Sequence, residues 1–443
     1  MKLINSTRLI IAALALMFLA PSCVKEGPMG LTGPAGANGT NGTDANETCK
    51  MCHKSTNVDL ITTQFQFSKH EYGEAAFEEA GNTGCTPCHA QEAFKYVVKN
   101  NTPSTFSPNP AQPGRFVNDY ATSISTAYGE IGCSTCHSSL HTSYGTADLA
   151  FTTVAPVPMT MWGGKKTIDL KADGGKGNLC VKCHQPRPQT NLQTGNVQDY
   201  AYIAANPSVL AYDANNNSAV TNIVRPSYRM HVHYGSVGAI YAGMGGVEFP
   251  GTLPYTSSAH TTAASCSDCH MGSMVGRAGG HTFVAKGNLT TCNATGCHST
   301  AITSSSTTLW TNPRAEIKGL LNALAAKLAV GGVDILNRNA DAEHNLWAGL
   351  TTNNYDGYLN VYDPVNNAAF ETYNTTGTFQ NPAPSSTWTA AEKAKNLSFP
   401  KLSLTNAQYG ALLNFQLCLR EYSLGIHNFA YTKALLTNSI AKL

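Results

Sequence analysis

The chain has 443 residues, of which 42% are hydrophobic and 13% are charged, and its formal net charge is +2. The charged share is about half of the usual one, and no basic run occurs, so the sequence excludes nucleic acid as an expected partner. The unusual feature of the composition is the presence of 14 cysteines and 14 histidines.

The N-terminus has the pattern of an export signal. Two basic residues precede the apolar run 9–20, which is too short for a comfortable membrane span. Cys23 follows as at the cleavage site of a bacterial lipoprotein, although Ala20 stands where leucine is usual. We expect residues 1–22 to be a lipoprotein signal peptide, Cys23 to carry the lipid, and the exported chain to be anchored in the outer membrane, at its cell surface or periplasmic face. The alternative is plain secretion with Cys23 unmodified.

A collagen-like segment follows the signal. Glycine recurs at every third position from Gly27 to Gly42, as in chains that form a triple helix. Six triplets are too few to form a trimer by themselves. Residues 23–47 are therefore expected to act as a flexible Gly-X-Y tether that holds the folded body away from a membrane surface.

Six cysteine pairs, each followed directly by histidine, dominate residues 48–300. Five have two residues between the cysteines, at 49–53, 85–89, 133–137, 180–184 and 266–270 (motifs 1 to 5). The sixth, CNATGCH at 292–298 (motif 6), has four. Disulfides give no reason for the histidine, and zinc needs a second pair of ligands. In c-type haem attachment, two thiols add to the porphyrin vinyl groups and the next histidine becomes the proximal iron ligand.

The motifs therefore predict six covalently bound haem c groups. The expected thioether cysteines are Cys49, Cys52, Cys85, Cys88, Cys133, Cys136, Cys180, Cys183, Cys266, Cys269, Cys292 and Cys297. The expected proximal ligands are His53, His89, His137, His184, His270 and His298. Motif 6 is interpreted as an expanded copy because its terminal Cys-His is intact and its small spacer residues can bulge.

The other eight histidines are candidates for the sixth coordination position of each iron, opposite the proximal histidine. With 14 histidines for six irons, the chain comes close to the 12 that complete bis-histidine ligation would need. A bis-histidine haem is closed to substrate and transfers electrons, whereas an enzyme would leave at least one iron open.

Two segments resemble bacterial multihaem c-type cytochromes related to the ammonia-forming nitrite reductases and hydroxylamine oxidoreductases, many of which are surface electron-transfer proteins. The first reads HVHYGSVGAIYAGMGGVEFPGTLPYTSSAHTTAASCSDCHM, followed by GGHTFVA, and the second reads LREYSLGIHNFAYTKALLTNSI. Together they cover about residues 225–300 and 405–443. The resemblance implies distal iron ligation by His233, His260, His281 and His427. All six motifs end in histidine, whereas the nitrite reductases carry lysine at the catalytic haem, so their activity is not transferred.

Two further distal ligands are needed from the remaining histidines. We expect them to be His70, in a helix-like stretch before motif 2, and His141, four residues after motif 3. His231, which could exchange roles with its neighbour His233, and His344, which has a structural alternative, are the secondary candidates.

The fold class expected from this pattern is mostly irregular with α-helices, a multihaem cytochrome c whose core is built from stacked haems. Gly, Pro, Ser, Thr and Asn dominate between the motifs, and helical periodicity appears later, at 314–330, 406–422 and 428–443, with a break at Gly425. Residues 301–443 are expected to pack on the haem body, to supply His427 and to bury Cys418 as a free thiol.

The sequence thus predicts an electron carrier and not an enzyme: a hexahaem cytochrome that relays electrons at the outer membrane or cell surface to other redox proteins or extracellular acceptors. Two alternatives remain open. One is a multihaem oxidoreductase of nitrogen or sulfur compounds with one open haem. The other is a homo-oligomeric cytochrome filament, in which one copy lends a histidine to the next.

Overall fold

The structure is a computed structural model. It describes residues 53, 55–72, 85–100, 106–108, 116–118, 129–162, 165–189, 197–212, 232–330, 333–338, 355–359 and 404–443. The predicted signal peptide and tether lie outside these residues, and so do five of the predicted site residues: Cys23, Cys49, Cys52, His231 and His344. Their roles stay predictions.

Short helices joined by turns make up the described part of the chain before residue 300. They are α1 (Leu60–Gln66), α2 (Lys69–Tyr72), α3 (Thr86–His89), α4 (Gln91–Lys99), α5 (Cys133–Cys136), α6 (Lys176–Val181), α7 (Tyr200–Ala205), α8 (Val237–Tyr241), α9 (His260–Ala263) and α10 (Cys266–His270). A π-helical turn, Ser55–Asp59, leads into α1, and single 3₁₀ turns occur at Thr146–Leu149, Thr160–Trp162, Gly280–Thr282 and Leu289–Asn293. Such short helices follow from the turn-forming residues between the motifs.

The strands are short and antiparallel, and in the described residues they pair only two by two. The pairs are β1 (Phe106–Pro108) with β2 (Phe116–Asn118), β3 (Val157–Pro158) with β4 (Thr167–Ile168), β5 (Leu210–Tyr212) with β10 (Leu404–Thr405), β6 (Ala329–Val330) with β7 (Val333–Asp334), and β8 (Leu336–Arg338) with β9 (Tyr355–Leu359). The fold is therefore mostly helical and irregular, as the sequence predicted.

Three longer helices follow residue 300: α11 (Asn312–Lys327), after a π-helical turn at Thr307–Thr311, then α12 (Asn406–Arg420) and α13 (Phe429–Lys442). Helix α11 buries Ile317, Leu321 and Leu324, which belong to the predicted apolar face. Thr405 caps α12, since its hydroxyl accepts from the backbone N–H of Gln408. The chain turns between α12 and α13 at Gly425, whose φ of 87° suits glycine.

A core of aliphatic and aromatic side chains joins these helices to residues 157–249. Helix α12 is buried on nearly all sides, and Gly410 lets it approach Phe249 so closely that an added Cβ would lie 2.6 Å from that ring. Asn414 bonds both the N–H and the C=O of Val247 at 2.7 Å. The sequence pattern predicts a core of stacked haems and gives no sign of this protein core.

The backbone contacts divide the chain into two units, Met1–Cys52 and His53–Leu443. All described residues belong to the second unit, so motifs 2 to 6 and the C-terminal helices are parts of the same body. Within the described part of the chain, every helix is too short or too polar to cross a membrane.

Candidate metal centres

The motifs fold as single helical turns. In motifs 2, 3 and 4, the histidine N–H donates to the carbonyl of the first cysteine, as for His89 and Cys85 at 3.1 Å. A helical turn places the two cysteines, three positions apart, on one face, where both thiols can reach one planar group. Motif 6 closes in the same way, because His298 N–H donates to the carbonyl of Cys292 at 3.1 Å. Its two extra residues bulge at Gly296, whose φ is 88°.

Five motif histidines each face a second histidine. An imidazole nitrogen binds a first-row metal ion at about 2.0–2.1 Å, and the ring centre lies about 1.1 Å beyond it, so two imidazoles on opposite sides of one ion have centres about 6.2 Å apart. The observed separations between ring centres are 5.7 Å for His53–His141, 6.2 Å for His89–His233, 6.0 Å for His184–His70, 6.3 Å for His270–His427 and 6.0 Å for His298–His260. Every second histidine is one of the six predicted distal ligands.

His137 and His281 are the remaining members of the two predicted sets. His137 stacks on Phe151 with ring centres 5.5 Å apart, and His281 packs edge-on against Phe283 at 5.8 Å. Burial and then the charge of His137 lower the pKa of His281, so the two imidazoles lie within electrostatic reach. Their separation is not fixed by a ring contact, and this centre is the least complete of the six.

Several of these histidines are oriented by a hydrogen bond at Nδ1. Backbone carbonyls accept from five of them: Leu149 O from His137 at 3.0 Å, Gly235 O from His184 at 3.1 Å, Tyr234 O from His233 at 2.9 Å, Ile426 O from His260 at 2.9 Å and Phe283 O from His270 at 2.8 Å. A carbonyl oxygen only accepts, so Nδ1 must carry the proton in these rings. Nε2 then keeps its lone pair for a metal ion, which is the usual arrangement of metal-binding histidines.

Burial keeps several of these imidazoles neutral. It lowers the pKa of His70 to about 4 and that of His233 to about 3, and it also lowers the pKa of His184 and of His270. Metal ions bind the neutral imidazole, so these four histidines are in the binding form at neutral pH.

Left-handed backbone positions two of the second histidines. His141 has φ of 62° and His233 has φ of 97°, values that residues other than glycine seldom adopt. Asp148 holds the loop after His141, since its carboxylate accepts from the N–H groups of Ser143 at 2.7 Å and Tyr144 at 3.0 Å. Such strain is often found at functional sites, where the surrounding contacts impose it.

The centres are neighbours of one another. Phe283 packs edge-on against His70 at 4.8 Å and also contacts His281, while its carbonyl binds His270. Cys88 Sγ lies 3.9 Å from the Lys182 carbonyl oxygen, between the cysteines of motif 4. The carbonyl that orients His260 belongs to the residue before His427. Residues of motifs 2, 4, 5 and 6 and their facing histidines therefore form one connected cluster.

Three residues of this cluster were missed by the sequence analysis. Phe283 joins three histidines, and the Gln64 side chain accepts from the N–H of His281 at 2.9 Å. Glu421 accepts from His427 Nδ1 at 2.6 Å. Burial acts to raise the pKa of Glu421, but hydrogen bonds from His427, Ser423 and Gly425 hold it below its ordinary value. None carries a motif. Gln64 is far from His281 in the sequence, and Phe283 and Glu421 take their positions from turns that have no sequence signature.

No family model, curated protein or solved structure matches the chain. Among the described residues, groups of three or more His, Cys, Asp or Glu that would hold a metal ion are also absent. The donor atoms instead stand in facing pairs beside cysteine pairs. This donor set fits six-coordinate iron in a porphyrin, whose four nitrogens supply the remaining ligands.

Proposed function

We propose that the chain is a hexahaem c-type cytochrome that relays electrons. The observation that carries the proposal is the facing of five motif histidines by second histidines, with ring centres 5.7–6.3 Å apart. Haem c, when bound, supplies one-electron redox chemistry. The chain contributes the thiols that hold the porphyrin, the two imidazoles that close the iron, and the hydrogen bonds that orient them.

The proposed ligand sets follow the motifs, with the proximal histidine given first: His53 and His141, His89 and His233, His137 and His281, His184 and His70, His270 and His427, His298 and His260. The thioether bonds are assigned to the two cysteines of each motif. This assignment uses twelve histidines of one chain, so no histidine lent by a second copy is needed. Assembly into filaments is therefore not part of the proposal.

Closed irons favour electron transfer over catalysis. With an imidazole on each side, an iron has no position for a substrate, and its coordination changes little on reduction. A second candidate function, the oxidoreductase with one open haem, has one observation in its favour. His137 stacks on Phe151, and no histidine ring contacts it within the described part of the chain, so the haem of motif 3 is the place where an open iron would occur.

The location and partners are proposed from the sequence alone. We propose that the protein is exported and anchored by a lipid on Cys23, with the tether spacing the haem body from the outer membrane. Its partners are then other redox proteins or extracellular electron acceptors that reach the exposed haems.

The proposal is tested by the mass of the denatured protein, produced in a host that matures c-type cytochromes. We expect the polypeptide mass plus six haems, and plus five for a variant with Cys292→Ala and Cys297→Ala. A mass without haem would contradict the proposal, and an unchanged count in the variant would remove motif 6 from it. Turnover of nitrite or hydroxylamine by the intact protein would favour the enzyme.

A further inference from the structure

Glu421 is a buried carboxylate directly behind His427. Its side chain has no exposed surface, and its Oε2 lies 2.6 Å from His427 Nδ1. The hydroxyl of Ser423 donates to the same oxygen at 2.5 Å. The other oxygen, Oε1, accepts from the N–H groups of Gly425 at 2.9 Å and Ser423 at 3.1 Å. Four donors surround this side chain, which therefore acts as an acceptor only, as an ionised carboxylate does.

His427 differs in this respect from the other histidines whose Nδ1 partner is known in the described part of the chain. Those five donate to neutral backbone carbonyls, and His270, which faces His427, donates to Phe283 O at 2.8 Å. A carboxylate draws the Nδ1 proton more strongly than a carbonyl does, because the hydrogen bond is charge-assisted. The imidazole gains imidazolate character, and its Nε2 becomes a stronger donor to a metal ion.

The charge of Glu421 also acts through space. Burial removes the water that would screen it, so a carboxylate at this distance favours the more positive state of an iron bound to His427. Arg314, on α11, is a cation close enough for Glu421 to affect its pKa, but it is only partly buried and also stacks on Trp310 at 4.6 Å. The guanidinium of Arg420, the residue before Glu421, lies over the Tyr234 ring at 4.2 Å. Glu421 contacts His427 directly, through the 2.6 Å hydrogen bond, and this contact sets the sign.

We propose that Glu421 selectively lowers the reduction potential of the haem held by His270 and His427. This inference rests on the proposed function, since it assigns a tuning residue to one of the six haems. The same turn supplies Ile426 O, which orients His260 of the neighbouring centre at 2.9 Å. Glu421 thus makes reduction of the haem held by His270 and His427 less favourable than reduction of the neighbouring haem held by His298 and His260.

The test is a spectroelectrochemical titration of the complete holoprotein carrying Glu421→Gln. Glutamine keeps the shape and removes the charge, so one of the six components should become easier to reduce by about tenfold in its equilibrium constant, or about 59 mV for one electron. The other five should keep their potentials. The control is Glu248→Gln, which makes the same change at an exposed glutamate. Glu248 accepts from the Tyr431 hydroxyl at 3.0 Å, and no histidine contact is found for it among the described residues. The control should leave all six components unchanged.

Six unchanged potentials in a Glu421→Gln protein that retains six haems would overturn the inference and leave the proposed function intact. An unmodified protein that lacks the haems would instead contradict the proposed function. If the Glu421→Gln protein does not take up its haems, the same titration is made on Ser423→Ala. It removes one competing donor from Oε2 and also the acceptor of the His427 backbone N–H at 3.1 Å. The carboxylate is then concentrated on His427 Nδ1, so the same component should move to lower potential. An unchanged or higher potential in that variant would also overturn the inference.

Discussion

Asn428, the residue after His427, joins α13 to the segment that leads to motif 5. It is completely buried, and its Oδ1 accepts from Ser258 N–H at 2.9 Å and from Tyr431 N–H at 3.3 Å. The second bond caps the N-terminus of α13. Its Nδ2 donates to the Ile240 carbonyl at 3.0 Å. Its Nδ2 also lies 3.3 Å from the Tyr241 carbonyl and from Ser257 Oγ. Replacing Asn428 by alanine removes all of these bonds and leaves the partly buried N–H of Ser258 without its acceptor.

The expected loss of stability follows from these bonds. Loss of an N-cap costs about 1 kcal/mol. The N–H of Ser258 that loses its acceptor is partly buried and costs about 1 kcal/mol. The bond to Ile240, whose carbonyl also accepts from Gly243 N–H, adds about 1 kcal/mol. Asn428→Ala should therefore lower the free energy of unfolding by about 3 kcal/mol.

This loss is measured by denaturant titration of the holoprotein, monitored by far-ultraviolet circular dichroism. The midpoint concentration of denaturant should fall, while the dependence of the unfolding free energy on denaturant concentration stays unchanged. Asn100→Ala is the matched control, because the exposed Asn100 side chain bonds only the Tyr96 carbonyl within its own helix end, and it should change stability by less than about 0.5 kcal/mol. Equal midpoints for Asn428→Ala and the unmodified protein would refute the packing described for α13.

Three further substitutions test the centres and their supports. His281→Ala should open the haem of His137 to carbon monoxide and leave the other five closed; a carbon monoxide difference spectrum identical to that of the unmodified protein would count against the pairing. Gly238→Ala places a Cβ 2.7 Å from the His184 carbonyl oxygen and should cost about 1–3 kcal/mol, measured by the denaturant midpoint. Tyr241→Phe removes a hydroxyl that lies 2.6 and 2.5 Å from two backbone carbonyls around α9, so it should cost about 1–2 kcal/mol in the same assay.

The sequence predicted the elements that depend on local pattern. The positions of α11, α12 and α13 follow their apolar periodicity, and the break at Gly425 and the buried, unbonded Cys418 are confirmed. The end of α11 differs, because helical geometry stops at Lys327 and the next residues pair as β6 with β7. A tertiary pairing of this kind has no signal in helical periodicity.

The pairing of the histidines depends on the tertiary structure and could not be predicted from the sequence. His70 lies just before motif 2 but faces His184 of motif 4, and His141 lies just after motif 3 but faces His53 of motif 1. Spacing along the chain cannot reveal such partners, because they depend on how distant segments pack. Glu421 lies only six residues before His427, but it looks like an ordinary helix end until the turn between them brings its carboxylate to His427 Nδ1.

The central claim is that two imidazoles close each iron, and low-temperature electron paramagnetic resonance of the fully oxidised protein tests it most directly. Ring planes are nearly parallel in His270–His427 at 10° and His53–His141 at 20°, and nearly perpendicular in His184–His70 at 75° and His298–His260 at 87°. Parallel imidazoles split the iron dπ orbitals, whereas perpendicular ones leave them nearly equivalent. We therefore predict low-spin ferric signals only, both rhombic and strongly axial. A high-spin ferric signal would show an open iron and contradict the account.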